Sequence, residues 1–286
     1  MPRIDDGLRS MLAQLLPRAT LDSVNPLPVS GLTGESWRLQ GAGVDLLARE
    51  ASGQKIQLGV DRRREFRLLR ALNGSGLAPR PRGITAGWLL MEWLPGAPLN
   101  TQGWQQALTT GTLAGLLARL HQQRRSGYPL NLQARFARYW QTSDPARRTP
   151  AWLRLHRRFL RRRPPTALRQ ALLHMDVHQG NVLHQQAGAL TLIDWEYAGN
   201  GDVALELAAL FGGNALLVTN RERLLAEYVC LMPGLASDRL RRQINAWLPW
   251  VNYLMLLWYE TRWHQTGNCD FLALATPLRH YFHLSH

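Results

Sequence analysis

Lysine is nearly missing from this chain of 286 residues. Basic residues number 34 against 20 acidic ones, yet Lys55 is the sole lysine, so the net charge of +14 rests on arginine. A surface of this kind attracts polyanions, among them nucleic acids, acidic membranes and nucleotides such as ATP. Cysteine is scarce too. Cys230 and Cys269 cannot build a disulfide framework, which points to a reducing compartment. Long apolar runs are also lacking. The longest, residues 246–259, is interrupted by Pro249 and Asn252 and falls short of the roughly 20 residues that span a bilayer. A buried helix is expected there. The first residues, Met1-Pro-Arg-Ile-Asp-Asp-Gly, carry no apolar stretch of the secretory kind, so a cytoplasmic location is expected.

What is present belongs to a folded chain with a core: 45% hydrophobic residues, 19% charged residues and 11 tryptophans. The densest basic segment, residues 154–163, lacks the interleaved aromatics or docking motif of a nucleic-acid site. With Leu153, Phe159 and Leu160 among its arginines, it is expected to be the solvated face of an amphipathic helix. Neither a nucleic-acid nor a membrane partner is expected, and a monomer is anticipated.

Along the chain, short strands are expected at residues 27–30, 37–39 and 44–49, ending in polar residues at Gly53. Residues 63–72 read as a helix with Phe66, Leu69 and Leu72 on one side. An apolar strand, 88–94, is closed by Pro95-Gly96. From 104 to 122 the period is helical, with Leu113, Leu116, Leu117 and Leu120 at i, i+3, i+4 and i+7. A strand end at 172–174 precedes two short strands, 181–184 and 190–194, joined by a polar turn. Asp202 is placed to cap a helix over 203–211, and the chain from Arg221 onward reads as mostly helical. The class is α+β, in two lobes: a small β-rich N-terminal lobe over residues 1–94 and a larger α-helical one over 95–286.

The chemistry concentrates in His174-Met-Asp-Val-His-Gln-Gly-Asn181 and Ile193-Asp194. Asp176, Asn181 and Asp194 are three oxygen donors of the kind a magnesium ion accepts together with phosphate oxygens and water. Phosphoryl transfer needs such an ion and a group that takes the proton of the attacking hydroxyl. Two other readings stand beside this one. Loop aspartates and asparagines often only form turns. His174, Asp176 and His178 alternate along one segment and could ligate the metal of a hydrolase, although that leaves Asn181 and Asp194 unexplained.

His-x-Asp-x-x-x-x-Asn, followed by an apolar strand ending in Asp, resembles the catalytic and metal-binding motifs of the aminoglycoside phosphotransferase/choline kinase family. The resemblance implies a protein-kinase-like fold and the cofactors ATP and Mg²⁺. It casts Asp176 as catalytic base and Asn181 and Asp194 as metal ligands. His174 and Asp202, the latter in Gly201-Asp202, take supporting roles, with Asp202 bracing the catalytic loop. In the N-terminal lobe, Ser30-Gly-Leu-Thr-Gly-Glu-Ser36 stands at the phosphate loop, with Gly31 and Gly34 permitting close backbone approach. The family's strand lysine is absent. Arg49 stands in its place and Glu65 matches its partner, while Lys55 lies beyond Gly53 in what reads as a polar loop. Backbone groups of Glu92 and Leu94 would meet adenine.

Within the family the C-terminal part is similar to the bacterial thiamine kinases, through residues 139–148, 173–178, 192–208, Trp247-Leu-Pro-Trp250 and Trp258-Tyr-Glu-Thr-Arg-Trp263. This implies phosphorylation of the thiamine hydroxyl to thiamine monophosphate, with the small-molecule partner thiamine. Its cationic thiazolium calls for aromatic faces and a carboxylate. Trp195, Glu196, Trp258, Tyr259 and Trp263 are the candidates, with Glu260 among them on the same helix. Core packing is the alternative role for each aromatic. Choline or a methylthio-sugar remain alternative acceptors, since choline wants a similar pocket. An aminoglycoside is disfavoured by the shortage of acidic residues.

Overall fold

The computed structural model describes residues 6–15, 24–29, 36–41, 43–185 and 188–284. The chain divides into two compact units. The first comprises Met1–Ile56, Val60–Ala107 and Gln179–Ala198; the second comprises Gln57–Gly59, Leu108–His178 and Gly199–His286.

In the first unit, helix α1 (Asp6–Leu15) precedes strands β1 (Asn25–Pro28), β2 (Ser36–Gly41) and β3 (Val44–Glu50). Short helix α2 (Gly53–Gln57) and helix α3 (Arg62–Ala71) lead to β4 (Pro81–Ile84) and β5 (Trp88–Glu92). The sheet runs β1-β2-β3-β5-β4, antiparallel throughout. Leu8, Met11 and Leu12, spaced to share one side of α1, join Leu39, Leu46, Ala48 and Leu90 in its core. Asp61 caps α3 by accepting from the Arg63 and Arg64 N–H groups. The buried side of α3 differs from the apolar stripe expected from the sequence. Leu68 and Leu69 are buried, but so are Arg62 and Glu65, while Phe66 is only half-buried. The two charged residues face an ion cluster described below.

β6 (Ala97–Pro98) comes next and pairs with the later strand β8. Gly96, at φ +134°, lets the chain pass the His184 carbonyl oxygen, which a Cβ would meet at 2.6 Å. The helical period over 104–122 resolves into two helices, α4 (Thr101–Thr109) and α5 (Thr112–His121). The break falls at Gly111, whose φ of +79° a helix cannot contain, and a Cβ there would lie 2.6 Å from the Glu227 carboxylate. The leucine stripe of α5 is buried as expected.

The second unit continues with α6 (Leu132–Thr142), α7 (Pro150–Arg161) and β7 (Gln170–Leu173). The chain then supplies the hairpin β8 (Val182–His184) and β9 (Leu190–Leu192) to the first unit. It re-enters the second with β10 (Gly199–Asp202), α8 (Val203–Gly213), α9 (Val218–Leu231), α10 (Ser237–Thr266) and α11 (Asp270–Tyr281). A β-rich beginning, a small later hairpin and a helical remainder match the α+β expectation. The basic segment is α7 with its arginines exposed and Trp152, His156 and Phe159 buried. The apolar run 246–259 lies inside the 30-residue α10. No helix among the described residues is long and apolar enough to cross a membrane.

The core of the second unit is aromatic. Phe159 stacks on Tyr253 with ring centroids 4.4 Å apart, and His156 stacks on Trp140 at 4.3 Å. His156 Nδ1 is 2.9 Å from the Tyr253 hydroxyl. Burial, reinforced by the Arg148 charge, lowers the His156 pKa to about 4, against about 6.5 in an unfolded chain. The folded state therefore keeps His156 neutral while the unfolded state takes up a proton below about pH 6.5, so stability falls as pH drops from 6.5 towards 4. His156→Gln is expected to remove up to about 2 kcal/mol of the stability difference between pH 7 and pH 5. Urea unfolding at the two pH values measures it, and an unchanged pH slope in the variant would contradict the assignment.

Candidate active site

The loop that follows β7 belongs to the second unit. β7 pairs with β10 so that Leu173 lies opposite Gly199. His174 follows, fully buried, and Met175 then takes a left-handed backbone with φ +69° before Asp176. Such a conformation is unfavourable for a residue with a side chain, so something must hold it. Glu206 of α8 does. Its carboxylate accepts from the His174 N–H at 2.5 Å and the Met175 N–H at 2.7 Å. Burial alone would raise the Glu206 pKa, but His121, whose Nε2 is 3.6 Å away, and the His174 N–H hold it below the usual range. His121 Nδ1 in turn lies 2.6 Å from the Tyr228 hydroxyl.

Asp176 itself keeps 36% of its side chain exposed, with His178 Nε2 3.8 Å from Oδ2. Tyr259 of α10 feels this carboxylate: burial and then the Asp176 charge raise its pKa. Asp202 caps α8 through the Ala204 N–H, and its other oxygen accepts from Gln243 Nε2 at 2.8 Å and Trp247 Nε1 at 2.9 Å. It thus ties α8 to α10, while Glu206 braces the loop backbone.

Glu206 stands in the Leu205-Glu206-Leu207 run, where the sequence offers nothing but a helix-compatible acid. Its burial among leucines is the one signal that could have singled it out. Glu206→Gln puts an NH₂ group where one oxygen now accepts, leaving one loop N–H without its partner. A loss of about 1–3 kcal/mol is expected, together with a fall in kcat larger than any change in KM. Thermal melts and steady-state kinetics read both, and a variant with wild-type kcat would deny Glu206 its positioning role.

In the first unit, hairpin β8–β9 sets Asn181 opposite Ile193, whose N–H donates to the Asn181 carbonyl at 3.0 Å, and Asp194 follows directly. Asp194 has a left-handed φ of +64°. Around it stands a six-membered ion cluster. Arg49 of β3 donates from Nη1 to Glu65 Oε1 (2.8 Å), and from Nη2 to Asp194 Oδ1 (2.6 Å) and Glu196 Oε2 (2.8 Å). Arg62 Nη1 donates to Glu65 Oε2 (2.7 Å) and Glu196 Oε2 (3.2 Å). Lys55 is not in a polar loop as its sequence context suggested. It sits on α2, is 2% exposed, and bonds both Glu196 oxygens at 2.8 and 3.0 Å. Arg62 had no sequence signal, being one of three consecutive arginines.

Three cations thus face three carboxylates. Burial alone would raise the Asp194 pKa, but Arg49, Lys55 and Arg62 hold it down at about 2. Burial opposes the charge on Arg49, and Asp194, Glu65 and Glu196 together outweigh it, raising its pKa. Arg49 Nε and Arg62 Nη2 are buried and find no acceptor among the described residues. Buried donors are rarely left so, and a phosphate oxygen is the kind of acceptor that suits a cationic fork. A carboxylate with one amide oxygen donor suits a cation that keeps its water and shares phosphate oxygens, as Mg²⁺ does. No group of three or more His, Cys, Asp or Glu arranged for a metal occurs among the described residues.

The remaining candidates fall as follows. Gly31 and Gly34 lie outside the described residues. Glu92 ends β5 opposite Leu46, its N–H donating to the Arg80 carbonyl at 2.9 Å, with Leu94 just beyond. Trp195 is 1% exposed and donates from Nε1 to the Leu192 carbonyl at 2.9 Å. Both Glu196 oxygens are engaged by the three cations. On α10, Trp258 packs edge-on against Tyr259 and Phe271. Arg147 lies over the Trp263 ring at 5.0 Å. Glu260 is wholly buried between Arg147 and Arg279, at 2.7 and 2.6 Å, so it is not an open carboxylate for a cationic ligand.

Comparison with known proteins adds three findings. Residues 26–243 match the family described as the phosphotransferase enzyme family. The chain is 40% identical over 271 residues to a thiamine kinase from Escherichia coli O139:H28, covering 95% of this chain and 92% of that one. Among solved structures, choline kinase LicA from Streptococcus pneumoniae resembles it with a TM-score of 0.75 at 16% identity, over 96% of this chain and 97% of that one. A structure of LicA in complex with AMP has the same score and identity and covers 99% of each chain. At such identity the likeness speaks to fold.

Proposed function

This chain belongs to the phosphotransferase enzyme family, and from that we propose that it transfers the γ-phosphoryl group of ATP to the hydroxyl of thiamine, giving thiamine monophosphate. The observation that carries the acceptor is the likeness to thiamine kinase along 95% of the chain. It extends through the segments beyond the shared kinase motifs.

In this reading Asp176 takes the proton of the attacking hydroxyl, for which a partly exposed carboxylate on a rigidly held backbone is suited. Asn181 and Asp194 would hold Mg²⁺, which when bound supplies positive charge at the phosphate oxygens. Arg49, paired with Glu65, offers its buried Nε to the phosphates, and Gly31 and Gly34 permit the backbone to come close to phosphate. Backbone groups of Glu92 and Leu94 take the adenine. Residues 1–94 serve the nucleotide and 95–286 serve catalysis and the acceptor. Trp258, Tyr259 and Trp263 provide aromatic faces for the thiazolium. Trp195 and Glu196, expected from the sequence to meet the acceptor, instead support the fold, since the first is buried and the second is paired to three cations. The enzyme acts as a cytoplasmic monomer.

The test follows ADP release from Mg-ATP with thiamine, choline, a methylthio-sugar, an aminoglycoside or no acceptor. Release that requires both thiamine and magnesium is the expected result. Turnover with a different acceptor would replace thiamine and keep the phosphotransfer.

A further inference from the structure

We propose that Arg49 occupies the metal-binding carboxylate while no nucleotide is bound, so that a divalent cation is held firmly only after the nucleotide phosphates have drawn Arg49 off Asp194. The inference rests on the reading of Asp194 as a metal ligand.

Three features of the cluster support it. First, Arg49 is 5% exposed and its Nη2 is 2.6 Å from Asp194 Oδ1. A cation at the same carboxylate, one-third of whose side chain is exposed, would be a like charge at close range to Arg49, and that repulsion stays substantial near a protein surface. Second, Arg49 can leave Asp194 without stranding the rest. Nη1 stays on Glu65 Oε1 at 2.8 Å and acts as a pivot. Glu196 loses one donor yet keeps Lys55 at 2.8 and 3.0 Å and Arg62 at 3.2 Å. Lys55 and Arg62 are therefore positioning residues: they keep Glu196 neutralised so that Arg49 is free to move. Third, Arg49 Nε is buried with no acceptor among the described residues, so a phosphate oxygen could be taken up without first breaking a bond at that atom.

Arginine at this position matters. One guanidinium reaches Glu65, Asp194 and Glu196 together through two nitrogens. A lysine has a single nitrogen on a flexible stem and cannot reproduce that fork. The proposal thus gives a physical role to the arginine that stands where the family's lysine would.

Mn²⁺ serves as the probe. Its binding to the full chain is followed through the paramagnetic resonance of the free ion, with no nucleotide present and then with ADP. Arg49→Gln is expected to bind Mn²⁺ at least about tenfold more tightly than wild type without nucleotide, the repulsion having gone. It should also gain less than wild type does on adding ADP. Arg49→Lys should shift in the same direction by less, and it stands in should the Gln variant fail a thermal melt. Equal or weaker Mn²⁺ binding by the folded variant overturns the proposal, as does a wild type that binds Mn²⁺ equally with and without ADP. Adding Asp194→Asn to Arg49→Gln separates the two layers. If the tight Mn²⁺ site survives that change, the metal assignment is wrong and the inference falls with it. If the site is lost, yet Arg49→Gln alone showed no gain, the metal assignment stands and only the role given to Arg49 fails.

Discussion

Asp176→Asn is expected to lower kcat by about 10²–10⁴-fold, the range that general-base catalysis contributes, with little change in the KM for ATP. Asparagine nearly matches aspartate in shape, so the loop geometry survives. His174 and Met175 remain bound through their backbone N–H groups to Glu206. The variant lacks only an oxygen able to take a proton. Because 36% of the side chain is exposed, water reaches the new amide, and the melting temperature should fall by no more than a few degrees. A variant that kept wild-type kcat would remove Asp176 as base. A variant with lost activity and a large fall in melting temperature would place the residue in the fold, not the chemistry. Pre-steady-state turnover distinguishes a slowed transfer step from slowed product release.

Glu196→Ala is expected to cost about 3–5 kcal/mol in urea unfolding, the penalty for breaking a buried ion pair from one side. Lys55, 2% exposed, would lose both of its carboxylate contacts. Arg49 and Arg62 would share Glu65 and Asp194, leaving three cations against two carboxylates. The double variant Glu196→Ala/Lys55→Met should recover much of the loss, because removing both partners leaves no stranded charge. A single variant that costs under about 1 kcal/mol, as an exposed pair would, would mean that the cluster is solvated and unimportant to folding. The contrast between single and double variants also guards against a trivial cavity effect, which would grow with each deleted side chain.

Much of this protein was legible in the order of its residues. The leucines of α5, the cap at Asp202 and the strand–turn–strand of β8–β9 rest on local rules, a period or a capping bond spanning a few residues. The split at Gly111 escaped that reading because the apolar period continues across it. The glycine is there for its left-handed backbone and for Glu227 of α9, more than a hundred residues away. Phe66 misled for a related reason. A helix of one apolar face was assumed for α3, and its buried side holds Arg62 and Glu65 because they meet Glu196 and Arg49.

By itself the sequence determined the α+β class, through periods and turn residues of short range, and its resemblance to a known family pointed to the phosphotransferase motif and to the charged residues there. Only the tertiary structure decided which of those charges meet. Lys55 and Glu196 are 141 residues apart and Arg49 and Asp194 are 145 apart, so no local pattern links them. A buried charge is tolerated only when a partner of opposite sign reaches it, and the folded backbone alone determines which partner that is.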